Sequence, residues 1–249
     1  MGQEGGTVTP STGVVVEAFT ELAPHYVETV DRELREFWGV GYPDFIRLLL
    51  QAVPSDGSPL ILDLATGTAQ IPLAMANRSA DGSVIVGLDI TPTMLRHALA
   101  NLQSQGVSGR VRLICASATD MPFDAGAFDL AICGLATHHM HVPRLLSETA
   151  RVLKPGGRLV MADVSAPPFW RSAVGSMVVR FAVALYSLVH RSTRMRAELA
   201  AISNIRTTQE WRALFADLGF VGIELVAELQ GRKRLYPGGV VWKATKPVP

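Results

Sequence analysis

The chain has 249 residues, 48% of them hydrophobic and 18% charged, with a net charge of +1. That balance fits a globular enzyme with one large core, with or without a lid. The Lys and Arg residues are scattered, which argues against a nucleic-acid partner, because a phosphate backbone calls for a concentrated basic patch.

Residues Met1 to Gly13 are rich in Gly, Thr and Ser and hold no apolar run, so they read as a flexible tail and not as a secretory leader. The expected location is cytoplasmic. Residues 14–249 read as a single domain. Leu60 to Leu64 is a short apolar run, expected as the first strand, and Ile71 to Ala76 follows as a helix. Val84 to Leu88, rich in β-branched residues and ending at Asp89, is a second strand. Thr91 is placed to cap the next helix with Pro92 at its first position, where a missing N–H costs nothing. Met94, Leu95, Ala98, Leu99 and Leu102 would share its inward face. Val111 to Cys115 and Phe128 to Cys133 are the third and fourth strands. Both cysteines therefore read as buried, reduced thiols and not as a disulfide framework. A helix from Pro143 stops at Lys154-Pro155-Gly156-Gly157, and Arg158 to Ala162 is a fifth strand.

Continuous apolar strands separated by helices imply a parallel sheet covered on both faces, and right-handed crossovers make it a doubly wound, Rossmann-like α/β fold. The alternation breaks after Asp163. Phe169 to His190 and Arg194 to Asn204 look helical, so residues 164–206 form a helical insertion. Thr207-Thr208-Gln209-Glu210 is a capping box that opens a helix with Trp211, Leu214, Phe215 and Leu218 inward. Val221 to Glu228 and Val240 to Thr245 would close a mostly parallel seven-stranded sheet as antiparallel neighbours.

The chemistry gathers where strands end. In an open parallel sheet, ligands sit at the carboxyl ends of strands. The first strand runs into Asp63-Leu64-Ala65-Thr66-Gly67-Thr68-Ala69. Gly67 lets backbone approach a ligand where a Cβ would clash, and Asp63 is placed to accept from an ammonium or to order the loop. Asp89, ending the second strand, suits a ribose diol. A nicotinamide enzyme would need G-x-G-x-x-G, and both later glycines are missing from Gly67-Thr68-Ala69-Gln70-Ile71-Pro72.

Four blocks in order then resemble the class I S-adenosylmethionine-dependent methyltransferases, of the type that includes the quinone-biosynthesis C-methyltransferases. They are Ile61 to Thr68, Val86 to Leu95, Ala118 to Phe123 with Phe128-Asp129, and Arg151 to Leu159. The resemblance implies S-adenosylmethionine as cofactor, with Asp63, Ala65 and Gly67 at its methionine end, Asp89 on the ribose, and Ile90 and Met94 against the adenine. It implies Ser117 and Ala118 at the adenine edge and Gly134 beneath the cofactor. Phe19 to Tyr26 resembles a covering helix, with Tyr26 as a lid residue. Ala69 stands where the family has its last glycine, a tolerable change if the backbone needs no positive φ there. Ser117 stands where an Asp is frequent. Val27-Glu28-Thr29-Val30-Asp31 departs from the polar stretch usual in the quinone enzymes.

Methyl transfer from a sulfonium is mostly a positioning problem, and a base is needed only where the acceptor loses a proton. His138, His139 and His141, after the fourth strand, and His25 on the lid are the candidate bases. The histidine pair could equally just shape its loop. No metal site is expected, because no carboxylate or cysteine joins the histidines at ligand spacing and adjacent side chains seldom converge. Asp163 would bind a substrate hydroxyl or cap the next turn.

The insertion carries Phe169, Trp170, Met177, Phe181, Leu185 and Tyr186 at three- and four-residue steps. It reads first as a substrate lid, which implies a small hydrophobic or aromatic acceptor for C-, O- or N-methylation, such as a quinone precursor or a secondary metabolite. Docking on a bilayer, with Arg180, Arg191, Arg194 and Arg196 at the headgroups, or on a second copy in a homodimer are less favoured uses of the same face. The rival function is a methyltransferase-fold protein that uses the cofactor structurally or catalyses a cyclisation. A nucleic-acid or protein methyltransferase is opposed by the near-zero charge and by Ala136-Thr137-His138-His139 in the loop where an Asn-Pro-Pro-Tyr-type motif would sit.

Overall fold

The continuous apolar runs become the centre of a seven-stranded sheet in the order β3-β2-β1-β4-β5-β7-β6. The computed structural model describes residues 11–54, 60–78, 83–189, 193–233 and 236–249. Strands β1 (Leu60–Leu64), β2 (Val84–Asp89), β3 (Val111–Cys115), β4 (Phe128–Gly134) and β5 (Leu153–Ser165) pair in parallel. β7 (Gly238–Thr245) enters antiparallel between β5 and β6 (Val221–Leu229). The expected fold class is therefore the observed one.

Side chains alternate across each strand, so each face of the sheet builds its own core. Ile61, Ile85 and Ile132 point to one face, under helices α3 (Tyr42–Gln51), α4 (Gln70–Ala76) and α5 (Pro92–Ser104). Leu62, Leu64, Ala131 and Met161 point to the other, under α6 (Val142–Val152) and α9 (Thr208–Asp217). The capping box of α9 forms as read. Thr207 accepts from the Glu210 backbone N–H at 3.2 Å, and the Thr207 N–H donates to the Glu210 carboxylate at 2.8 Å.

Several expectations change. Helix α1 (Thr12–Leu22) already begins at Thr12, so Thr12 and Gly13 are not tail; residues 1–10 lie outside the described set. Cys115 is exposed and only Cys133 is buried, because β3 is the sheet's edge. Leu99 is exposed, since only Met94, Ala98 and Leu102 of α5 turn fully inward. Thr91 makes no side-chain cap; its N–H and hydroxyl both serve Asp89 instead. The insertion folds as α7 (Ala173–Val189) and α8 (Thr193–Ala201), each flanked by a short 3-10 turn. His190, Arg191 and the side chains of Leu185 and Tyr186 lie outside the described residues. No helix among the described residues is long and apolar enough to cross a membrane.

Candidate active site

The chain leaves β1 through a tight turn in which Ala65, Gly67 and Ala69 all take positive φ, at 54°, 55° and 65°. The left-handed region costs a residue with a Cβ about 1–2 kcal/mol, so two of these three positions are strained. Ala69 does need the conformation that its family glycine would adopt freely. The turn is held by Thr66 N–H on the Leu88 carbonyl and Ala69 N–H on the Thr66 carbonyl, both at 2.9 Å.

Thr66 donates its hydroxyl to Asp63 Oδ2 at 2.5 Å. Asp63 Oδ1 is buried without a hydrogen-bond partner. Burial, with a smaller push from Asp89, raises the Asp63 carboxyl to about 7. Asp89 accepts from Gly67 N–H and from Thr91 N–H, each at 2.8 Å and one to each oxygen. Burial raises its carboxyl too, against these bonds.

A cavity opens at this point, at the carboxyl ends of β1, β2 and β4. Ala65, Gly67 and Asp89 line one side, with Ile90, Met94 and Leu135 as apolar walls. Ser117, Ala118 and Thr119 line the edge. Tyr26 reaches in from the start of α2 (Tyr26–Trp38), with its ring near Gly67. Burial, with Asp89 and Asp63 nearby, pushes its hydroxyl up to about 12, so it stays neutral while accepting from Tyr42. Asp63 and Gly134 are expected site residues that do not line the cavity. Asp63 is buried and holds the Thr66 hydroxyl, and a Cβ on Gly134 would meet Ile71 Cδ1 at 2.8 Å, so that glycine serves close packing.

The covering helix expected at Phe19 to Tyr26 starts earlier, since Thr12, Val15 and Phe19 roof the cavity, and among the described residues none of 164–206 lines it. The insertion instead packs α8 against α1 and against the histidine turn. His25 is exposed in the turn before Tyr26 and is not among the described lining residues of this cavity.

The histidine pair occupies a single 3-10 turn, Thr137–His139. Asp163, wholly buried at the end of β5, organises it. It accepts from the Thr137 hydroxyl, from the His138 backbone N–H at 3.0 Å and from His138 Nδ1 at 2.6 Å. It also accepts from its neighbour's N–H, Val164, at 2.7 Å. Asp163 thus has its acceptors filled by the protein and is not a substrate ligand. Burial opposes charge on His138, but Asp163 and Glu198 outweigh it and hold the imidazole above its usual range. Burial raises the Asp163 carboxyl, but His138 and Thr137 outweigh it and hold it below the ordinary carboxylate range.

His139 is the reverse case. Burial and then the neighbouring His138 cation push it well below the usual histidine value. It lines the cavity, meets Phe19 edge-on at 5.1 Å, and its Nδ1 is buried without a hydrogen-bond partner. Its Nε2 lies 3.9 Å from Glu198 of α8. A carboxylate therefore does join the two histidines, contrary to the sequence expectation, and the two rings converge to 4.1 Å. Arg194 already faces Glu198 at 3.9 Å, so that carboxylate has a cation beside it. His141 sits at the cavity mouth, where its ring caps α6 through Arg144 N–H.

Sequence reasoning missed Phe19 as a wall, Glu198, and Asp163 as the group that orients His138. Phe19 was within reach, since it opens the block that carries Tyr26.

Residues 62–161 match the methyltransferase domain family. The chain is 34% identical over 123 residues to the ubiquinone/menaquinone biosynthesis C-methyltransferase UbiE of Geobacter sp., covering 49% of this chain and 52% of that one. It is 39% identical over 156 residues to the demethylmenaquinone methyltransferase of Thermus thermophilus, covering 60% and 66%. The chain thus spans about half to two thirds of the length of these curated relatives. The crystal structure of the cyclase SpnF superposes with a TM-score of 0.69 over 97% of this chain and 98% of that one at 18% identity, a likeness of fold. In sheet order, cradle and domain match this chain is similar to the class I S-adenosylmethionine-dependent methyltransferases. Within that class the two curated relatives named above are quinone-biosynthesis C-methyltransferases.

The residues present fit that cofactor. The unpartnered Asp63 Oδ1 suits a cationic amine, Asp89 at the wall suits two ribose hydroxyls, and the Ile90–Met94 wall suits an adenine.

Proposed function

We propose that this protein methylates a small hydrophobic or aromatic acceptor, with His139 taking the proton that the acceptor gives up. The observation that carries this reading is a histidine held neutral in the same cavity as the cofactor cradle. Bound there, S-adenosylmethionine supplies an activated methyl group, so the protein's work is positioning and proton removal. Val15, Phe19, Leu135 and Met140 give the acceptor an apolar enclosure, which favours a quinol-like or other aromatic ring. Asp163 fixes the His138 ring as a buried ion pair, and His138 in turn sets the position of His139. The acceptor's heteroatom or carbon would take the methyl group as the methyl–sulfur bond breaks and S-adenosylhomocysteine leaves, and the acceptor's proton would pass to the His139 imidazole. Glu198 beside Nε2 offsets the charge that appears there.

The test is turnover of aromatic and quinol acceptors, read as S-adenosylhomocysteine formed. His139→Ala is expected to lower kcat by about 10²–10⁴-fold, the usual worth of a positioned base, while cofactor affinity holds. Because His139 is depressed, kcat should not fall on the acid side down to about pH 6. A base at His138 would lose activity as pH drops through a value above about 6.5. Full turnover in His139→Ala ends its role as the base. Conversion of an acceptor without S-adenosylhomocysteine would favour the cyclisation alternative instead.

A further inference from the structure

Helix α7 is an anomaly for a water-facing element. Of its 17 residues only Arg180 is charged, a composition that belongs to a buried helix. Yet Val174, Met177 and Phe181 are 60%, 64% and 70% exposed, and Val178 stands beside them. These positions recur at steps of three and four, so they form one stripe along the helix. Phe169, in the turn just before, extends it with another exposed ring. Contacts to the rest of the fold run through the opposite side. Gly175 packs so tightly on the Phe169 carbonyl that no Cβ would fit, and Val179 leans on the Trp170 cluster.

The charge around this stripe is mostly positive. From Val164 to Ala197 the sequence holds five arginines and no Asp or Glu, and the acid that follows, Glu198, is turned to Arg194 and His139. Arg171 is engaged by Glu210 and Arg194 by Glu33, both acids from outside the segment. Arg180 and Arg196 remain as exposed cations. Beneath the stripe, a cavity of about 390 Å³ opens between α7 and α8, walled by Trp170, Val179, Leu199 and Ile202 with Arg180 at its side.

We propose that this face of α7 seats the protein on an anionic lipid bilayer, lying in the interface plane. The stripe enters the acyl boundary, Arg180 meets a headgroup phosphate, and the cavity behind gives one acyl chain somewhere to go. Charge decides between this occupant and a second copy of the chain. A two-fold contact through the same stripe would bring Arg180 and its fellow arginines against their own copies, with no carboxylate in the segment to pair them. Phosphate headgroups supply the missing sign.

The test is co-sedimentation of the full chain with phosphatidylcholine vesicles and with vesicles of equal phosphatidylcholine and phosphatidylglycerol. Binding is expected to the anionic vesicles and to weaken as salt rises. Arg180→Glu should lower the partition about fivefold or more, from the loss of about one cation near the surface. Met177→Asp with Phe181→Asp should lower it by at least about tenfold. Melting temperature and S-adenosylhomocysteine binding, read on the same variants, show that the fold and the cradle persist. Vesicle binding needs no turnover, so this inference and the methyl-transfer reading fail separately. It is overturned if the protein stays in the supernatant, if neutral vesicles bind it equally, or if it is a dimer that Phe181→Asp converts to monomer.

Discussion

The loop after β1 and the helix α7 carry opposite kinds of cost. In the loop, strain and buried charge are accepted inside a rigid frame: Ala65 and Ala69 in the left-handed region, Asp63 with an unmatched oxygen. The strands on either side of β1, β2 and β4, and two cores hold it there. In α7 the backbone is regular, but apolar side chains stand in water with little behind them. Strain of the first kind marks a site built for a small, fixed ligand. Exposure of the second kind marks a surface whose partner lies outside the fold.

The largest expected contrast is in stability. Leu62, with no exposed surface at the centre of β1, should cost about 2–5 kcal/mol when cut to Ala. Met177→Ala on the stripe should stay within about 0.5 kcal/mol. Denaturant unfolding measures both, and similar losses would mean that α7 is covered by the protein itself.

The next contrast is in pH. Asp63 is raised in the folded chain, so its burial lowers stability progressively as pH rises from about 4, where the unfolded carboxyl ionises, to about 7, and by a constant amount above that. A cationic ligand needs the ionised form. Cofactor affinity should therefore climb up to about tenfold per pH unit below 7 and then level off. Calorimetry across pH 5.5 to 8.5, with Asp63→Asn as the variant that flattens the curve, checks the sign. The stripe should show no matching dependence.

The smallest contrast uses one substitution twice. Ala69→Gly should raise stability by about 1 kcal/mol, because it relieves a left-handed alanine. Ala182→Gly, in the regular and exposed α7, should lower it by about the same amount. Opposite shifts in melting temperature are the expected readout.

These two regions also differ in how far the sequence betrayed them. β1, β2 and β4 were legible because a strand buried on both faces must be an unbroken apolar run, and Asp63, Gly67 and Asp89 end or follow such runs. Cys115 looked buried for the same reason, but an edge position is a property of the whole sheet and leaves no mark on five residues. The conformation of Ala69 was hidden likewise, since the loop forces it and alanine does not announce it. The roof was missed because Val14-Val15-Val16 is β-branched and weakly helical on its own, so α1 could not be read from Thr12 onward. The insertion was read correctly as helical and apolar. Its distance from the cavity wall follows from α8 bracing α1, a tertiary contact with no local signature.

The placement of β7 has a consequence for how the chain assembles. β7 is the last strand to be synthesised, yet it sits between β5 and β6. Until residues 238–245 leave the ribosome, β5 presents a bare edge over eight residues, and β6 has nothing to hydrogen-bond. The cradle half of the sheet can close early, as domains begin to fold from the N-terminal side during synthesis. The other half must wait for Trp242 to arrive and fill the core beneath α9. Each newly made molecule thus passes through an interval with an open sheet edge, when it is most exposed to pairing with another chain.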